Sequence, residues 1–197
     1  REGLGDKKIF FWDHNKERVV DRSLETLCSD RARAAFDGIA VHWYSGDHFG
    51  ALDVTHRLFP EKLLIASEQC KGREELPWES GEAYAHDIIG DLNNWVGAWT
   101  DWNMLLDENG GPDHWLDEQL HWEQITAKRQ ELGLEINWKD PRFQKLMKEE
   151  GIWFGESPIL CDHEEKSLHY ASSYYYIGHF SRFVKRGAKR IGSSVYT

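Results

Sequence analysis

The chain has 197 residues, with 24 Lys and Arg against 34 Asp and Glu and a formal net charge of −10. That balance argues against a protein that tracks nucleic-acid phosphates, and no apolar run approaches the roughly 18 residues that a membrane-spanning helix requires. With 40% hydrophobic residues there is enough apolar surface for a packed core, so a disordered chain is excluded as well.

Four short apolar runs recur along the first half: KIFFWDHN (8–15), GIAVHWY (38–44), KLLIASE (62–68) and VGAWTDWNMLLD (96–107). Their near-continuous hydrophobicity suits strands covered on both faces, as in a parallel sheet. Centred on Phe11, Val41, Ala66 and Trp99 they are 30, 25 and 33 residues apart, the repeat of a βα unit. Between them the sequence predicts helices over about 17–29, 48–58 (stopped by Pro60) and 80–95. In the last, Tyr84, Ile88 and Leu92 form one stripe and Ser80 is a candidate cap. Gly110 and Gly111 mark a turn after which the rhythm stops. A helix is expected over 115–133, and another from Asp140 and Pro141 toward Gly151, with Phe143, Leu146 and Met147 on one face. Residues 172–184 read as an aromatic helix, followed by a strand start at 190–196.

Four βα units cannot close an eight-stranded barrel, which takes about 250 residues. The chain is therefore either a small open sheet or part of a larger barrel. In both cases the chemistry of α/β folds gathers at the carboxyl ends of the strands. Here those ends carry Asp13, His14 and Asn15; His42, Trp43 and Tyr44; Glu68 and Cys70; and Asp101, Trp102 and Asn103. Glu68 leaves an apolar run where the core meets that end, placed as a nucleophile or general base; the plainer alternative is an acid salt-bridged at a strand end. His42 on its own reads more as a hydrogen-bonded structural histidine than as a catalytic one. Ten histidines accompany the acids, yet no His-x-x-x-His or His-x-His pair sits on a strand end to hold a metal. Cys28, Cys70 and Cys161 have no Cys-x-x-Cys spacing and imply neither a disulfide framework nor a cysteine-rich zinc site. Gly3-Leu4-Gly5 lacks the third glycine and preceding strand of a phosphate loop. Ten Trp, seven Tyr and nine Phe suit a core, and they also suit stacking on sugar rings. A non-catalytic carbohydrate-binding protein is therefore the rival reading, although such modules are usually β-sandwiches.

The strings GIAVHWYSGDHF, LLIASEQC, YAHDIIGDLNNWVGAWTDWNMLLDENGGP and SSYYYIGHFSRFVKRGAKRIGSS closely resemble glycoside hydrolase family 30, the glucosylceramidase group and its bacterial β-glycosidase relatives. The resemblance covers about 8–112 and 156–197. It implies an α/β chain forming the C-terminal half, strands 5–8, of a (β/α)8 TIM barrel. A half barrel over 1–112 would be followed by a helical insertion over 113–155 after strand 8. Residues 156–197 would then lead into a β-sandwich side domain. It further implies hydrolysis of β-glycosides with retention, with Glu68 of ASEQC as the nucleophile and Cys70 beside the pocket. His42 and Tyr44 of HWY, Trp102 and Asp101 of TDWN, and Asp13, His14 and Asn15 would line the sugar site. Tyr44 is expected to hydrogen-bond Glu68. A carbohydrate or glycolipid is the expected substrate, and no cofactor or metal is required.

Two departures stand out. The family's acid/base glutamate lies in an Asn-Glu-Pro motif on strand 4, and this chain has no such triplet. Gly111 to Pro158 spans 47 positions where the family has a short loop, with Asp117 at roughly the place of a family asparagine. The insertion, with Trp115, Trp122 and Trp138, is expected to cap the aglycone side. The chain opens at Arg1 without Met or a leader pattern, so the natural N-terminus is expected to be absent. The compartment stays open: secreted or cytoplasmic for a bacterial member, lysosomal for an animal one.

Overall fold

The structure, a computed structural model, describes residues 3, 5–72, 77–107, 122–135, 140–149, 155–163 and 165–192. The chain folds as two compact units. The first comprises residues 1–69, 84–102 and 182–197, the second 70–83 and 103–181.

The first unit is built on β1 (Phe10–Asn15), β2 (Gly38–His42), β3 (Leu63–Glu68) and β4 (Val96–Trp99). They form one parallel sheet in the order β1-β2-β3-β4, as the spacing of the apolar runs predicts. Ile39, Val41, Leu64, Ala66 and Val96 of the strands pack with Val19 of α1 (Val19–Thr26) and Leu52 of α3 (Phe49–Leu58). Full burial of such aliphatic side chains is worth about 1.5–3 kcal/mol each. The helix expected over 17–29 is instead a 3-10 turn at Lys16–Arg18, then α1, then a separate α2 (Asp30–Ala35). Ser29 is the reason for the break: its hydroxyl accepts the Ala32 N–H at 3.2 Å and caps α2. Pro60 does follow the end of α3.

Each strand pair carries one register shift, and two of these lie at the carboxyl ends. Trp12 and His14 of β1 face the adjacent residues Ala40 and Val41, which leaves Asp13 as an extra residue. Ala66 and Glu68 of β3 face Val41 and His42, which makes Ser67 the extra one. Trp12 and Asp13 take positive φ values of 75° and 49° to accommodate the first bulge.

α4 (Pro77–Asn93) begins three residues before the expected cap, because Pro77 suits a first helical turn. Ser80 lies inside that turn and in the second unit, where its hydroxyl donates to the buried Glu156 carboxylate at 2.8 Å. The run read as one strand over 96–107 is broken. β4 ends at Trp99, and β5 (Leu105–Asp107) belongs to the second unit's sheet, parallel to β6 (Ile159–Asp162), which pairs antiparallel with β7 (Ser167–Tyr170). Apolar residues on both sides of the break conceal it in the sequence. The second unit also holds α5 (Trp122–Glu131), α6 (Pro141–Glu149) and most of α7 (Ser172–Phe183). Asp140 accepts the Arg142 N–H at 2.9 Å ahead of α6, and Phe143 and Leu146 are its buried face. Residues 190–192 are not strand, and 193–197 lie outside the described residues. The turn at Gly110 and Gly111, the stop at Gly151, and Asp117, Trp115 and Trp138 also lie outside them, as does the Trp122 side chain.

The first unit encloses a charge. Lys16 is completely buried, and its ammonium donates to Asp87 at 2.5 Å and to Asp91 at 2.6 Å, both on α4. It also lies 4.8 Å from the centre of the Phe49 ring. Trp99 Nε1 donates to the second oxygen of Asp87 at 3.0 Å. Burial, and then the charge of Asp87, push the Asp91 carboxyl from 3.8 up to about 7. Replacing Lys16 by Met leaves the buried Asp87 and Asp91 carboxyls without their cation and should cost about 3–5 kcal/mol in a denaturant melt. Because its folded pKa is raised, Asp91 contributes stability that is complete below pH 4 and is lost as the pH climbs toward and through 7. Asp91→Asn keeps the Lys16–Asp87 pair and cannot ionise. The difference in Tm between variant and wild type should therefore move in the variant's favour from pH 5 to pH 8. Parallel Tm curves would contradict this.

Candidate active site

At the carboxyl end of the first unit's sheet the structure brings together Asp13, Asn15, His42, Tyr44 and Glu68. The Tyr44 hydroxyl donates to Glu68 Oε1 at 3.2 Å, the hydrogen bond expected from the sequence. His42 Nδ1 lies 3.9 Å from the same oxygen, longer than a hydrogen bond. On its other side His42 Nε2 is 3.0 Å from Asp13 Oδ1. A carboxylate only accepts, so Nε2 carries the proton of that bond. His14 lies stacked on His42 at 6.2 Å and Tyr44 meets it edge-on at 5.9 Å, which fixes the imidazole plane.

Asn15 ties the strand ends together. Its side-chain oxygen accepts the Tyr44 backbone N–H at 3.0 Å, and its carbonyl accepts Trp12 Nε1 at 2.9 Å. Trp102 and Asp101 follow β4, and the Trp102 N–H donates to the carbonyl of Gln69, the residue after Glu68, at 2.8 Å. Trp43, another strand-end aromatic, packs on Tyr84 and Trp99, with ring centres 4.9 and 6.4 Å away. Cys70 falls in the second unit, buried, with its thiol donating to the carbonyls of Lys71 and Glu156 at 3.3 and 3.4 Å.

Sequence reasoning missed Ser67. Its hydroxyl donates to Asp13 Oδ1 at 2.7 Å and lies 3.3 Å from the Val41 carbonyl. The hydroxyl of Ser67 above all, with the His42 imidazole beside it, holds the Asp13 carboxyl below the usual carboxylate range against the opposing effect of burial. A small polar residue between Ala66 and Glu68 gave no signal of its own, since its direction depends on the bulge.

Among the described residues, Asp162, Glu165 and His169 of the β6–β7 hairpin form a group of the kind that can hold a metal, with ligand atoms within 4.8 Å of one another. His169 Nε2 is 3.5 Å from Asp162 and 3.8 Å from Glu165, distances that equally suit a histidine set between two carboxylates. Among these residues no helix is long and apolar enough to cross a membrane.

Known proteins resemble this chain in sequence and in fold. The family model described as the glycosyl hydrolase family 30 TIM-barrel domain matches residues 3–147. The chain is 30% identical over 197 residues to the lysosomal acid glucosylceramidase of Mus musculus, covering 94% of this chain and 31% of that protein. It is 32% identical over 180 residues to putative glucosylceramidase 3 of Caenorhabditis elegans, covering 87% and 28%. Among solved structures, SrfJ from Salmonella typhimurium matches 93% of this chain and 34% of its own at a TM-score of 0.71 and 27% identity. The endo-β1,6-glucanase BT3312 matches 96% and 36% at 0.62 and 25%. The chain thus spans about a third of the length of each of these proteins. With the family model matching most of its length, the chain belongs to glycosyl hydrolase family 30.

Proposed function

We propose that this chain supplies the nucleophile-bearing part of a retaining β-glycosidase. In this reading β1 to β4 are strands 5–8 of the barrel, residues 113–155 are an insertion that caps the aglycone side, and 156–197 lead toward a side domain. The observation that carries it is Glu68 at the carboxyl end of β3, hydrogen-bonded by Tyr44 at 3.2 Å and flanked by His42 at 3.9 Å, in a chain of this family.

Glu68 attacks the anomeric carbon and forms a glycosyl ester, while a second carboxyl group, about 5–5.5 Å away, protonates the departing oxygen and later activates water. That acid lies outside these residues in this reading. Tyr44 occupies one oxygen of Glu68 and leaves the other for attack. Trp102 stacks on the glycone, and Asp101 accepts from its hydroxyls. Glucosylceramide or a related β-glucoside is the substrate class, supported by the names of the curated relatives.

In the full-length protein, Glu68→Gln should lower kcat at least about 100-fold, some 2.7 kcal/mol of barrier, because an amide does not displace the aglycone. Azide should restore part of the turnover to Glu68→Gly. Tyr44→Phe keeps the ring and loses one hydrogen bond, so a fall of about 10-fold in kcat is expected. A protein that binds β-glucosides yet turns none over, with or without Glu68, would instead be a carbohydrate-binding module.

A further inference from the structure

We propose that Ser67 is a positioning residue that acts through Asp13 and His42 on Glu68, an inference that rests on Glu68 being the nucleophile. The extra residues of β1 and β3 are Asp13 and Ser67, and they meet across β2, with Ser67 Oγ 2.7 Å from Asp13 Oδ1. The same oxygen takes the His42 Nε2–H at 3.0 Å. One carboxylate oxygen thereby collects an imidazole from the adjacent strand β2 and a hydroxyl from β3 beyond it.

Asp13 needs this tether. Its side chain is 69% exposed, and its backbone sits at a φ of 49°, a conformation in which a non-glycine residue is held by its contacts. The Ser67 hydroxyl keeps the carboxylate turned toward the sheet. Without it the carboxylate is free to swing into water, and His42 loses the acceptor that selects its tautomer. With Nε2 protonated, the other ring nitrogen faces Glu68 Oε1 from 3.9 Å. With the proton moved to Nδ1, the ring would present an N–H to Glu68 and compete with the Tyr44 hydroxyl for the same oxygen. Ser67 therefore keeps Tyr44 as the single short donor to Glu68 among the described residues, and touches neither the sugar nor the reacting atoms.

The test uses Ser67→Ala, Ser67→Thr and Asp13→Asn in the full-length protein. Ser67→Ala should lower kcat for an aryl β-glucoside about 10-fold with KM within 2-fold, and Ser67→Thr, which keeps the hydroxyl, should return kcat to within about 3-fold of wild type. Nitrogen-15 NMR of labelled histidine should show His42 protonated at Nε2 in wild type and in Ser67→Thr. A rising Nδ1–H population is expected in Ser67→Ala and Asp13→Asn. An unchanged tautomer and kcat in Ser67→Ala overturn the proposal. So does a loss of kcat that Thr fails to restore, which would make Ser67 a packing residue. Labelling with a 2-deoxy-2-fluoro β-glucoside separates the two levels. An adduct on a residue other than Glu68 refutes the nucleophile reading, whereas the His42 spectrum still decides whether Ser67 holds the tautomer.

Discussion

An ammonium taken wholly out of water must be met by negative charge, and where Lys16 finds that charge determines where the strand ends lie. Lys16 immediately follows Asn15, so its bonds to Asp87 and Asp91 pin the end of β1 to α4. Asp87 then takes the Trp99 indole N–H with its other oxygen, which fixes the end of β4 to the same helix turn. Two outer strands of the sheet are located by one buried cluster. The cluster is dear in desolvation, and apolar residues of similar volume would serve a plain core as well. What apolar residues could not provide is direction, since they would leave the strand ends free to slide.

Upon that clamp the two bulges aim the side chains. An extra residue in β1 and another in β3 turn Asp13 and Ser67 toward each other, although a regular pleat would set them by simple alternation. The positive φ values at Trp12 and Asp13 cost about 1–3 kcal/mol each, strain that the surrounding hydrogen bonds must hold in place. The cost falls at the end of the sheet where His42, Tyr44 and Glu68 converge.

Much of this organisation is legible in the chain. The four apolar runs find their strands because parallel sheets bury both faces, and that pattern survives translation into sequence. Glu68 is legible from its strand-end position as an acid placed as a nucleophile or general base, and the proposed choice of nucleophile comes from the resemblance to the family. What escapes reading depends on register or on partners distant in sequence. Lys16 looks like a surface lysine until Asp87 and Asp91, more than seventy positions on, are brought beside it. Ser67 is silent because a one-residue slip decides where it points. The end of β4 is hidden by Met104 and Leu105, whose apolarity continues a run that the hydrogen bonds do not.

Gly90 lies on α4 one residue before Asp91, at a place where a methyl group would come within 2.0 Å of the Phe49 ring. That ring covers Lys16 and also packs against His86 at 5.6 Å. Position 90 is therefore narrower than any rule of helix composition would suggest. A consensus or library approach that replaces mid-helix glycines with alanine to stiffen the chain would normally gain stability. Here it would displace the aromatic lid from a buried ammonium, and the evolutionary freedom of α4 is bounded by the size of a side chain on another helix.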